Sequence, residues 1–461
     1  MKHITTDAAR AGRARLARLG AGILAIASLA ACNTDKLVDL TNPDLVTGDV
    51  ARNTANLNEL RNGAQYEFAR ALTGPPGNNG TPGIIGISGL LTDELWYAST
   101  FTGMQDIDRR TVTIDNTNLL PVYQYLHRAR NLSEQAAAAF DAVPERKNTE
   151  DQAMLTNYAG YSYLFFAETF CSGVPFSTTD LNGQLTLGPG ITTAAMLDSA
   201  INRFNLAATR AAAAGSDAQA NLARVGLGRA LLAKGDYAGA AAAVSAVPTD
   251  FEYTVEYSPN TSGQYNGIYQ NITSEHRSSA ATSEGTNGLH YFNRGPAGTN
   301  TIDPRVDVDS IAVGSDAFKT PVYQPNKYSN LDSPVVLASG VEARLIEAEA
   351  ALNKGNSNAY LTTLNSLRAD AGLTPLVDPV TPTARVKQFF SERAFWLYLT
   401  GHRLGDLRRM VRDYGFTQDQ VFPIGQAMNQ RSYGSDVNFP IPLQEQNNPE
   451  FGNGSCIDRN P

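Results

Sequence analysis

Leu227-Gly228-Arg229-Ala230-Leu231-Leu232-Ala233-Lys234-Gly235-Asp236-Tyr237-Ala238-Gly239-Ala240 is the stretch whose reading decides the fold. A helix carrying an apolar stripe reaches Lys234, Gly235-Asp236 breaks it, and a second helix opens at Tyr237. Gly228 and Ala240 are small enough to let two helices cross closely, and Tyr237 is placed to fill the gap between them. The stretch therefore predicts one helical hairpin of a repeat array.

A second hairpin from Glu342 to Gly372 repeats the pattern more loosely. Ala348 and Ala351 pack, Gly355 ends the first helix, and Leu361, Leu364 and Leu367 line the next. Outward from this pair, apolar periodicity predicts helices over Thr54 to Leu72, Leu120 to Phe140, Glu150 to Phe170, Thr193 to Ala213, Ala218 to Lys234 and Tyr237 to Val247. It predicts others over Val341 to Lys354, Ala359 to Ala371 and, as one long helix, Thr383 to Asp413. The expected fold is mostly α, a tetratricopeptide-like helical-repeat scaffold. Two stretches interrupt it. Gly74-Pro75-Pro76-Gly77-Asn78-Asn79-Gly80 is a surface loop, and roughly Thr249 to Val336 is an irregular insert rich in Tyr, Asn, Ser, Thr and Gly.

The N-terminus reads as an address. Arg10, Arg13, Arg15 and Arg18 precede an apolar run from Leu19 to Ala31 that is too short to span a bilayer, and Leu29-Ala30-Ala31-Cys32 has the small residues that a lipoprotein signal peptidase accepts. Residues 1–31 are thus expected to be a signal peptide, Cys32 the lipidated residue (a palmitate-bearing anchor), 32–50 a polar tether and 51–461 a single body. The 461 residues hold 45 acids against 37 bases, a formal charge of −8 with the bases dispersed, so nucleic acid is not an expected partner. Lipidation of Cys32 leaves Cys171 and Cys456, which are expected to pair in an oxidising envelope; two independent buried thiols are the alternative. No CxxC, paired-histidine, GxSxG, phosphate-loop or HExxH pattern occurs, so no metal, cofactor or catalytic residue is expected.

Glu392-Arg393 with Gly401-His402-Arg403-Leu404-Gly405-Asp406-Leu407-Arg408-Arg409 resembles the signature helix of the SusD/RagB family of outer-membrane nutrient-uptake lipoproteins. Phe439-Pro440-Ile441-Pro442, Glu445 and Asn448-Pro449 look like the family's closing segment. Gly173-Val174-Pro175-Phe176, Asp303-Pro304-Arg305 and the hairpins at Ala230 to Ala240 and Glu347 to Gly355 are similar to other marks of it. Taken residue by residue, Glu392, Arg393, Arg403 and Asp406 are spaced to flank an apolar stripe with ion pairs, which makes them scaffold charges rather than ligand contacts.

The resemblance implies a lipid-anchored protein of the outer membrane, exposed at the cell surface, that binds a nutrient such as an oligosaccharide. It also implies a SusC/RagA-like TonB-dependent transporter as the partner that receives the nutrient, and a ligand face built of long irregular loops. Trp96, Tyr97 and Asp106 are candidates for that face, with Tyr265, Tyr269 and Tyr291 of the insert, because aromatic faces stack on sugar rings while carboxylates and amides bond hydroxyls. Burial of Trp96 between helices is the competing reading. Two other functions stay open at this point. One is a lipid-anchored scaffold binding peptide or envelope protein; the other is a helical glycan-cleaving enzyme using loop acids such as Asp93, Glu94 and Asp106.

Overall fold

A computed structural model describes residues 54–75, 82–293 and 303–461, apart from 429, 431 and 453. The expected signal peptide (1–31), Cys32, the expected tether (32–50) and most of the glycine-proline loop lie outside the described residues. Those described all belong to one unit, Gly48–Pro461. Its principal helices are α1 (Thr54–Thr73), α2 (Ile84–Leu91), α3 (Thr102–Asp108), α4 (Leu119–Asp141), α5 (Glu150–Thr169), α6 (Thr193–Ala214), α7 (Asp217–Ala233), α8 (Tyr237–Val244), α9 (Gly340–Asn353), α10 (Ser357–Asp370), α11 (Pro382–Trp396) and α12 (Arg403–Tyr414).

The helices stack in sequence. α1 packs on α4, α4 on α5, α5 on α6, α6 on α7, α7 on α8, α8 on α9 and α9 on α10. Side-chain caps start many of them: the Thr192 hydroxyl accepts from Ala195 N, Ser216 from Gln219 N, Asp236 from Gly239 N and Asn356 from Ala359 N. Close approach is achieved with glycine. A Cβ on Gly228 would lie 2.4 Å from Val244 Cγ1, and Cβ atoms on Gly160 and Gly226 would lie 2.8 and 2.4 Å from the Phe204 ring, which α5 and α7 grip between them. Gly235 turns the central hairpin at φ +82°, and Tyr237 reaches across to donate to Asp413 Oδ2 at 3.0 Å.

The long helix expected over Thr383 to Asp413 is two. Leu399 and Gly401 both take left-handed φ, which no helix interior allows. Bonds from elsewhere in the chain hold the break open: Leu399 N donates to Glu94 Oε1 at 2.9 Å, Tyr328 Oη to Leu399 O at 2.8 Å and Lys327 Nζ to Tyr398 O at 2.7 Å. α2 is an additional helix. Its sequence, Ile-Ile-Gly-Ile-Ser-Gly-Leu-Leu, is buried on every side and so shows no polar face by which periodicity could find it.

Among the described residues the insert carries five of the short strands, β6 (Glu252–Val255), β7 (Ser278–Ala280), β8 (Val308–Val313), β9 (Pro321–Pro325) and β10 (Val335–Ser339). The other five are β1 (Leu95–Tyr97), β2 (Val174–Pro175), β3 (Thr178–Thr179), β4 (Leu185–Thr186) and β5 (Gly190–Ile191). All pair antiparallel in twos; β1 with β7 ties the insert to the helical body, and β6 with β10 draws the insert's two ends together. Cys171 and Cys456 are joined by a disulfide that spans 285 residues.

Arginines and carboxylates bind the last helices into the stack. Arg229 of α7 donates twice to Glu168 of α5 and once to Gly401 O. Arg393 of α11 and Arg409 of α12 both donate to Asp406, and Arg409 also holds Glu349 of α9. Arg403 makes two 2.6 Å bonds to Glu284, and Glu392 receives Arg305 and Arg368. Burial opposes the charge on Asp406, but Arg393 and Arg409 overcome it and hold the carboxyl down at about 2. The signature charges are therefore paired within the scaffold.

Candidate ligand-binding site

The outer face of α1 presents Asn62, Gln65, Tyr66, Ala69 and Arg70 at helical spacing, and residues 256–265 of the insert fold over it. A recess of about 300 Å³ lies between the two, lined by Tyr66, Tyr257 and Tyr265 together with the amides of Asn62, Gln65 and Gln264. Its roof is fixed from several directions. Tyr257 Oη donates to Ala69 O at 2.9 Å, Ser258 N to Gln264 O at 2.9 Å, and Asn266 Nδ2 to Ser333 O at 2.7 Å. Gly263 lies so close to Tyr66 that a Cβ there would come within 2.8 Å of the phenol oxygen.

The three rings play different parts. Burial pushes the Tyr257 hydroxyl above its ordinary range, as suits a phenol committed to a carbonyl. Tyr66 is 37% exposed and Tyr265 half-buried, so both offer ring surface to the recess. Beneath them the Arg70 guanidinium lies 4.1 Å over the Tyr125 ring and donates to Glu67, leaving Nε without a partner among the described residues. Rings beside amides and a cation suit a ligand that is apolar on its faces and hydroxylated at its edges.

Residues 342–449 match the sequence model of the SusD family. A SusD superfamily protein from Bacteroides vulgatus superposes with a TM-score of 0.60 over 88% of this chain and 99% of its own, at 14% identity. The chain shares the fold of SusD superfamily proteins, and residues 342–449 carry the SusD family's sequence pattern. Surface glycan-binding protein A from Bacteroides uniformis superposes with a TM-score of 0.61, over 88% of this chain and 99% of its own, at 14% identity. A laminarin-binding SusD-like protein gives 0.52 over 89% and 99%, at 16% identity. No curated protein matches the chain by sequence.

Within this SusD-like fold the six residues expected at the ligand face are scattered. Only Tyr265 lines the recess; Tyr269, one turn further on, is half-buried and does not. Three leave the candidate face altogether. Trp96 is 7% exposed and Tyr97 1%, both in β1 against β7, and Tyr291 is fully buried between Phe395 and Tyr398 with its hydroxyl donating to Glu284 Oε1. A ring enclosed on both faces cannot stack on a sugar. Asp106 is half-exposed, engages Arg109 one turn along its own helix, and stands apart from the recess.

Of the loop acids weighed as a catalytic set, Asp93 and Glu94 are inside the protein. Asp93 Oδ2 accepts from Tyr433 Oη and Gly285 N, and Glu94 Oε1 from Leu399 N; burial raises their carboxyls to about 8 and about 7. They brace backbone. Conversely, Tyr66 and Arg70 were not among the residues singled out from sequence. The signal was an aromatic ring on the polar side of an amphipathic helix, one turn from an asparagine on one side and an arginine on the other.

Proposed function

We propose that the protein binds an oligosaccharide in the tyrosine-lined recess and, anchored at the outer membrane through lipidated Cys32, passes it to a TonB-dependent SusC-like transporter. The recess carries this reading: two accessible phenol rings and three amides converge in a cleft of about 300 Å³, on a fold shared with proteins named for binding glycan and laminarin. The signal-like N-terminal sequence and the likeness to SusD proteins support the anchor and the transporter. A lipid at Cys32 would hold donor and barrel at high effective concentration.

Calorimetric titration of the purified mature protein with a panel of neutral oligosaccharides tests the recess. Tyr66→Ala and Tyr265→Ala should each weaken the best ligand by about tenfold, equivalent to ~1.4 kcal/mol of lost stacking, with thermal stability retained. Undiminished affinity in both variants would place the site elsewhere, and release of shortened glycan would replace binding with cleavage. Purification of the native protein from membranes should recover a β-barrel partner, and Cys32→Ser should lose it.

A further inference from the structure

On another side of α4 is a second recess, of about 380 Å³, whose use no feature of the scaffold explains. Tyr125, which meets Arg70 at the tyrosine cleft, and Tyr123, which lines this recess, are two residues apart and so roughly 200° around the helix. The two cavities are separate. This one is built by three independent segments: α4, the β3–β4 hairpin with the strand before it, and the turn after Pro442.

Its floor is an aromatic layer. The His127 ring lies 4.3 Å from Phe166, 4.5 Å from Tyr123 and 5.4 Å from Phe176, centroid to centroid. Burial, and then the Arg130 charge beside it, keep the imidazole neutral, well below its ordinary titration range. Arg130 is fixed by Glu134 and by the Ser177 carbonyl. His127 Nε2 and Arg130 Nε nevertheless have no hydrogen-bond partner among the described residues, in a setting where nearly all buried polar atoms find one. The fold has left polar capacity unused here.

The walls add accessible groups of defined character. Gln124, Arg128 and Gln444 are exposed, and their side chains make no hydrogen bond or ion pair with any described residue. Their amide and guanidinium N–H groups are donors. Among the described residues the one acid on the wall is Glu445, half-buried and standing beside the Tyr123 hydroxyl. Leu120, Pro175 and Leu185 supply apolar surface.

A ligand matching this set needs a carboxylate to meet Arg128, hydroxyls that can donate to Glu445 and accept from the amides, and a ring face for the apolar wall. A volume near the lower end of the roughly 300–1,000 Å³ typical of small-molecule sites admits one or two rings rather than a polymer strand. We propose that this recess is a second binding site, selective for a single uronic-acid unit, free or at the end of an acidic glycan. It does not depend on the function assigned to the tyrosine cleft.

Titration of the purified mature protein at low ionic strength with glucuronic acid, galacturonic acid, a uronate-terminated disaccharide, gluconate and glucose tests this. Free uronate or the uronate-terminated disaccharide should bind, with glucose and open-chain gluconate at least about tenfold weaker. Arg128→Gln should weaken the uronate ligand by about tenfold, because a charge-assisted bond is lost. Leu185→Trp, at a residue 59% exposed, should fill the mouth and abolish binding. Tyr66→Ala, in the other cleft, should leave it unchanged. Equal affinity for uronate and glucose, indifference to Arg128→Gln and Leu185→Trp in folded protein, or no uronate binding at all would overturn the proposal.

Discussion

At Asp93 the structure places a carboxyl where its charge is unwelcome. The residue sits in left-handed conformation at φ +58°, accepts two bonds on one oxygen and leaves the other without a partner among the described residues. Burial lifts its carboxyl from 3.8 in the unfolded chain to about 8, so between those values the native state holds a proton that the unfolded state has released. Stability should therefore fall as pH rises through that window, and Glu94, at about 7, adds to the same trend. Asp406 works in the other sense: its ion pairs stabilise above the unfolded value and lose that contribution as pH drops toward about 2. Thermal melts should peak near about pH 4 and decline toward about pH 8. Asp93→Asn keeps the acceptor and tolerates the backbone angle, so it should flatten that decline; a slope as steep as in the parent chain would mean that Asp93 is ionised in the fold. None of this was visible in the sequence, where Asp93 and Glu94 look like surface acids after a loop. Their environment comes from Gly285, Leu399 and Tyr433, which are remote in the chain.

Among the elements, helices were the legible part, because their starts carry chemistry of their own. Thr192, Ser216, Asp236 and Asn356 cap the first turns of α6, α7, α8 and α10, and apolar spacing follows each cap. The break between α11 and α12 was not legible, since it is held by Glu94, Lys327 and Tyr328 rather than by neighbours in sequence. Trp96 was misread for a related reason: β1 looks like open loop until β7 pairs with it. The grip of α5 and α7 on Phe204 gives this scale its prediction. Gly226→Ala would drive a methyl into the ring at 2.4 Å and should cost ~1–3 kcal/mol in chemical denaturation. Gly215→Ala, which meets nothing within 4 Å but sits at φ +66°, should cost only about 1 kcal/mol. Equal losses would show that backbone strain, not helix contact, sets the penalty.

For the whole molecule, the longest-range covalent constraint is the Cys171–Cys456 bond. Closing a loop of 285 residues restricts the unfolded chain by up to roughly 5 kcal/mol in the loop-entropy account. Around it the last residues dock by few backbone bonds, Ile457 N to Ser172 O and Ser172 N to Asp458 O. Cys456→Ser should lower the melting temperature and, in hydrogen exchange, expose residues 454–461 well before the helices open. Simultaneous loss of protection would mean that the tail and the stack unfold as one. At this scale the tyrosine recess was half readable: the aromatic insert pointed to Tyr265, whereas its partner Tyr66 comes from a helix about 200 residues earlier.

The arginine-carboxylate lattice bears on how the chain reaches this state. Asp406 on α12 is shared by Arg393 and Arg409, so Arg409 gains a carboxylate of its own, Glu349, only when α9 has docked, and Arg229 of α7 finds its partners only when α5 and the Gly401 bend are in place. A helix that slides by one turn, or docks out of order, strands a bare cation in oil, a far larger penalty than a misplaced leucine would incur. Apolar stripes rich in alanine tolerate such slippage; the lattice does not. It acts as a proofreading device for assembly, rejecting near-miss stackings that greasy surfaces alone would accept.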